Sequence, residues 1–139
     1  MIKLPKTKYF LALSATLLIF SCTPDEQPVP ADSRSKYVAS WTCVEQSSET
    51  GTNPAFVTNI ELSTIESDEI IIKNFYGLGA AKQVSVIVNN NSLTIPSQIV
   101  SGYTFKGSGT FNGTNTINMN YTADDGSGVD TVSAVFTKM

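Results

Sequence analysis

From Tyr37 to the end of the chain, apolar side chains return at every second position, in runs separated by clusters of Gly, Asn, Asp and Ser. A period of two puts alternate side chains on opposite faces of an extended backbone, so the pattern predicts half-buried β-strands. Eight are expected. "KYVASWTCVE" sets Tyr37, Ala39, Trp41 and Cys43 on one face, and "FVTNIELS" does the same with Phe56, Thr58, Ile60 and Leu62. "EIIIKNF" is apolar on both faces through Ile70, Ile71 and Ile72, and "KQVSVIVN" aligns Val84, Val86 and Val88, which makes these two the most buried pair. "SLTIP" is expected to stop at Pro96, which has no amide hydrogen to give a ladder. "YTFKGSGTF" carries Tyr103, Phe105, Gly107, Gly109 and Phe111 on one side, "TINMNYT" carries Ile117, Met119 and Tyr121, and "VDTVSAVFTK" carries Val132, Ala134 and Phe136.

The connections between these runs are too short for crossovers, so an antiparallel up-and-down meander is expected. Asn112-Gly113 and Asp125-Gly126 are its strongest hairpin signals, because both dipeptides tolerate positive φ. Closing the meander into an all-β, eight-stranded antiparallel barrel removes both exposed edges. Gly107 and Gly109, two apart in one strand, suit the sharp coiling a small barrel needs. In such a barrel alternate connections emerge at one end. Residues 46–55, 76–81, 96–102 and 123–128 form the longer set and are expected to make the mouth. The first strand then runs toward that mouth, and the chain enters at the opposite, closed end.

The first 36 residues follow no strand pattern. Lys3, Lys6 and Lys8 form a basic front before an apolar stretch from Tyr9 to Phe20, too short for the roughly 20 residues that span a bilayer. It reads as the h-region of a secretory signal. Ile19-Phe20-Ser21-Cys22 resembles the lipobox of bacterial lipoproteins, and that resemblance implies that Cys22 becomes the acylated first residue of the mature chain. The expected organisation is a signal peptide over 1–21, a lipidated cysteine with a Pro-rich flexible linker over 22–36, and the barrel over 37–139. Pro24-Asp25-Glu26 also looks like the acidic export tag of surface lipoproteins in Bacteroidota, which places the protein in the cell envelope, anchored to the outer membrane.

Removing residues 1–21 leaves six basic against twelve acidic residues, a net charge of −6. The six cations are scattered, so nucleic acid is not an expected partner. With Cys22 consumed by lipid, Cys43 is the one remaining thiol, and the fold must rest on packing rather than on disulfides. The chain has no histidine, which removes the commonest general base and metal ligand. "DDGSGVD" lacks the residue order of a calcium loop and "KGSGT" that of a phosphate loop. No catalytic residue, metal or cofactor is therefore expected, and Glu45 and Glu61 read as ordinary strand residues.

Four segments carry a wider resemblance: Trp41 to Glu45, Ile95 to Gln98 ("IP-x-Q"), Phe105 to Thr110 ("F-x-G-S-G-T") and Tyr121 to Gly126 ("Y-T-x-x-D-G"). The chain resembles the small lipocalin-like β-barrel lipoproteins of Bacteroidota over nearly all of 37–139. That resemblance implies a barrel and an envelope location, with no settled activity. Two functions are expected from the residues. In one, the membrane-anchored barrel binds a small apolar ligand without catalysis. In the other, bulky inward candidates such as Trp41, Phe56, Phe105, Met119, Tyr121 and Phe136 fill the interior, and the mouth loops contact a protein or glycan. Tyr76, Leu78, Ile99 and Val100 are the candidate ligand or partner residues at the rim.

Overall fold

The computed structural model describes Pro28 and residues 30–139, so the signal segment, Cys22 and the first part of the linker lie outside the described residues. The alternating pattern becomes nine strands: β1 Ala39–Ser47, β2 Gly51–Thr52, β3 Phe56–Leu62, β4 Glu69–Lys73, β5 Gln83–Asn89, β6 Ser92–Val100, β7 Tyr103–Phe111, β8 Thr116–Asp124 and β9 Val129–Lys138. Eight of them form an antiparallel, up-and-down barrel in sequence order, and β9 returns to β1 from Trp41↔Lys138 to Ser47↔Val132. Each of the eight strands thereby gains a neighbour on both sides. The extra strand, β2, pairs only with the last two residues of β1, inside the expected first loop.

The fifth expected strand differs most. It does not end at Pro96 but runs to Val100, with a bulge between Ile95 and Gln98. Pro96 removes an amide hydrogen, and the bulge turns the chain so that pairing with β7 resumes. The connection that follows shrinks to Ser101 and Gly102, both at positive φ. Ile99 and Val100 consequently belong to a strand rather than to a loop.

The same bulge opens a seam. β5 and β6 pair only at Ile87↔Thr94, Val88↔Leu93 and Asn89↔Ser92. Beyond that, the Gln98 side chain replaces the missing ladder, accepting from the Ser85 amide at 2.9 Å and donating to the Ser85 carbonyl at 2.8 Å and the Pro96 carbonyl at 3.1 Å. The "IP-x-Q" spacing thus has a physical content: proline breaks the ladder and the glutamine amide mends it.

Inward side chains fill the barrel from end to end, with Trp41, Ile60, Ile70, Ile72, Phe105 and Phe136 among the largest fully buried. The end where β1 begins is shut by aromatics. Residues Ser35–Tyr37 form a 3-10 turn, Tyr37 packs on Phe111 with ring centroids 5.1 Å apart, and Trp41 meets the same ring edge-on at 6.1 Å. The Trp41 indole donates to the Tyr37 carbonyl at 2.9 Å. Arg34 anchors the entering chain there, donating to the carbonyls of Glu66 and Glu69 at 2.9 and 2.6 Å.

Candidate functional site at the barrel mouth

Four connections share the other end, as the up-and-down order requires: residues 48–55, 74–82 and 125–128, with the two-residue turn 101–102. The inward phase of β1 continues past Trp41 and Cys43 to Glu45 and Ser47, and that of β9 starts at Asp130. Two carboxyl groups, Glu45 and Asp130, are therefore buried in the mouth, 2% and 3% exposed. Neither is left without partners.

Asp130 is a clamp. Ser47 Oγ donates to it at 2.8 Å, the Ser48 amide and hydroxyl at 3.0 Å each, and the Tyr76 hydroxyl at 2.8 Å. Ser47 Oγ in turn accepts from the Glu49 and Thr50 amides at 3.0 Å. Burial pushes the Asp130 carboxyl up, but the hydrogen bonds from Ser47, Tyr76, Ser48 and the Glu49 amide outweigh it and hold the group below the ordinary aspartate range. One charge thereby ties the first loop and the 74–82 connection to the barrel wall.

Glu45 has the opposite balance. Burial pushes its carboxyl up, the hydrogen bond from the Tyr121 hydroxyl opposes that, and the nearby Asp130 charge adds to it. Burial also pushes up the Cys43 thiol, with Glu45 reinforcing the effect. The thiol is therefore a poor nucleophile, because the reactive form is the thiolate.

The four rim residues expected from sequence separate into two groups. Tyr76, Leu78 and Val100 each pack half-buried against the core, whereas Ile99 points outward and is 77% exposed. Tyr76 lies over an aromatic cluster, 5.4 Å from the Tyr103 ring, 5.7 Å from Phe105 and 6.2 Å from Tyr121. Its backbone is left-handed, φ 57°, a conformation that costs a bulky residue about 1–3 kcal/mol. Ring packing and the Asp130 bond hold it there. Asn74 staples the same loop, accepting from the Gly79 amide at 2.7 Å and donating to the Val57 carbonyl at 2.8 Å. This connection is a strap across the mouth.

Sequence reasoning missed Glu45, Ser47, Asp130 and Gln98 as parts of the site. Three of them carried a signal, since they fall on the inward phase of their strands and so had to find buried partners. Gln98 carried none beyond its distance from Pro96.

No protein-family model matches the chain, and no curated protein does. Several solved structures are similar to it in fold, two of them as follows. One is a redesigned beta barrel, with TM-score 0.51 and 9% identity, covering 78% of this chain and 96% of that one. The other is EF1p2_mFAP2b bound to DFHBI, with TM-score 0.54 and 6% identity, covering 78% of this chain and 98% of that one. At these identities the likeness extends to the barrel architecture alone.

Proposed function

We propose that this chain is a non-catalytic, lipid-anchored protein of the cell envelope, tethered to the outer membrane through Cys22, whose filled barrel presents a rigid set of mouth loops to a protein or glycan partner. The Asp130 clamp carries this reading. It holds Ser47, Ser48, the Glu49 amide and Tyr76 by direct hydrogen bonds, and loops ordered before binding lose less entropy when a partner docks. A small apolar ligand inside the barrel is the weaker reading, because side chains occupy both ends: Tyr37, Trp41 and Phe111 at one, Phe75, Tyr76 and Tyr121 at the other.

Arg34 docks the entering chain at the closed end, which supports a mouth turned away from the membrane. Acylation at Cys22 would add a permanent anchor, since two or more acyl chains bind far more firmly than one.

The test places a photo-crosslinking amino acid at Ser101 or Gly126 on the mouth, or at Thr114 on the closed end, in cells that make the full chain. Adducts from the mouth positions alone support the reading. Equal capture from both ends, or none from the mouth, sinks it. Growth with labelled palmitate should mark the wild type and leave Cys22→Ser unlabelled; an unlabelled wild type removes the anchor.

A further inference from the structure

Ile65 is 88% exposed, more than any other large apolar side chain among the described residues. Its turn, residues 63–68, joins β3 to β4 at the closed end. The turn is braced from both sides. Ser63 Oγ accepts from the Ile65 and Glu66 amides at 3.3 and 3.1 Å, and the Ser63 amide donates to the Glu69 carbonyl at 3.1 Å. Arg34 holds the Glu66 and Glu69 carbonyls from the other side. A lone exposed isoleucine is common on soluble proteins, and the position of this one is what gives it meaning.

The same arginine fixes where the chain leaves the domain. Its guanidinium also pairs with the Asp32 carboxylate at 2.6 Å, so the chain before Asp32 departs beside the Ile65 turn. Eleven residues, 23–33, separate Cys22 from Arg34. Covalent geometry caps such a linker at about 40 Å, and a coil of that length averages about 20 Å. β1, nine residues long, covers roughly 25 Å of wall once strand tilt is allowed for. Turning the mouth to a bilayer that holds Cys22 would therefore stretch the linker beyond its coil length, whereas the closed end reaches the same surface with slack. Charge gives this end no excess of cations, since Arg34, Lys36 and Lys138 stand against Asp32, Glu66, Asp68 and Glu69. Two of those cations are already engaged, Lys36 with Asn91 Oδ1 at 2.6 Å and Lys138 with the Lys36 carbonyl at 2.9 Å. Any contact with a lipid surface must then be apolar, and Val38, 42% exposed at the same end, adds to it.

We propose that the closed end is a membrane-contact face, with Ile65 inserted at the boundary between the headgroups and acyl chains of the bilayer that holds Cys22; this rests on the lipid-anchored reading above. Glu66 and Asp68 stay in the headgroup water while Ile65 enters below them. One isoleucine is too little to hold a free domain on a surface. The tether makes the contact intramolecular, at an effective concentration of about a millimolar or more. The domain then keeps one posture, mouth outward, instead of tumbling on its linker.

The test takes the acylated full chain, from cells that make it, into nanodiscs of zwitterionic phosphatidylcholine whose acyl chains carry a nitroxide, read by backbone-amide NMR. Loss of the Ile65 and Glu66 signals is expected, with Ser101 and Gly126 keeping full intensity. Ile65→Ser, at an exposed tip away from the core, should restore the lost signals while the protein stays on the disc. Salt at about 1 M should leave the wild-type loss unchanged. No loss at the closed end, loss centred on Ser101 or Gly126, loss that survives Ile65→Ser, or loss that salt abolishes would overturn the contact face while the anchor stands. A chain that carries no acyl mass at Cys22 and washes off the discs would instead remove the anchored reading, and this inference with it.

Discussion

Replacing Gln98 by leucine tests whether a side chain closes the barrel where the backbone does not. Leucine keeps most of the volume and deletes three hydrogen bonds, two of which serve the amide and carbonyl of Ser85. Both Ser85 groups sit in a part-buried seam with no strand partner on that side. An orphaned buried backbone group costs about 1–3 kcal/mol, and partial access of water argues for the lower figure. Two such groups give a loss of roughly 2 kcal/mol. For a domain of this size that lowers Tm by about 10 °C. Urea unfolding followed by Trp41 fluorescence measures the loss, and hydrogen exchange at the Ser85 amide locates it. Gln83→Leu, at an exposed position one residue into β5, should change stability by no more than about 0.5 kcal/mol. Gln98→Glu adds a sign: its carboxylate still accepts from the Ser85 amide but faces two carbonyls, so the variant should recover stability as pH falls and the acid gains a proton to donate. If Gln98→Leu unfolds with wild-type stability and Ser85 keeps its protection, the seam is closed by something other than this amide.

Three further outcomes follow from the mouth and from the close approach at Gly107. Glu45 has a raised carboxyl pKa in the fold, so the native state holds its proton more tightly than the unfolded chain and stability falls as pH rises above the ordinary glutamate value of 4.5. Glu45→Gln should therefore stabilise the protein more at pH 7 than at pH 4 in urea titrations; an equal effect at both would refute the assignment. Asp130 is depressed, so its contribution is complete above the unfolded value near 3.8 and is lost as pH falls through the lower folded value. Asp130→Asn should remove that part of the acid dependence, cost roughly 1–2 kcal/mol, and speed exchange of the Ser48 and Glu49 amides; unchanged exchange would dissolve the clamp. Gly107→Ala should cost roughly 3 kcal/mol or more, because the new Cβ meets a backbone that cannot move aside; a thermal melt matching the wild type would show that the strands can part.

The alternation of side chains was enough to read the strands, their antiparallel order and most of the core, because a period of two is a local property of the backbone and burial follows it. Trp41, Phe105, Met119, Tyr121 and Phe136 sit inside as their phase dictates. The inward phase of Glu45, Ser47 and Asp130 was equally legible, but their partners lie far along the chain. Tyr76 and Asp130 are 54 residues apart, and Ser47 and Asp130 are 83 apart. Barrel closure alone brings them within reach. Ile99 and Val100 were assigned together to the rim, and the bulge at Pro96 divides them between wall and mouth. The strap of residues 74–82 could not be foreseen either, since left-handed turns at Asn74 and Tyr76 are strained locally and are stabilised by contacts with Val57, with Asp130 and with the rings of Tyr103, Phe105 and Tyr121. Local backbone chemistry determined which segments extend and which faces are greasy. Tertiary closure decided which polar groups meet, because a buried charge is stable only beside donors that distant strands deliver.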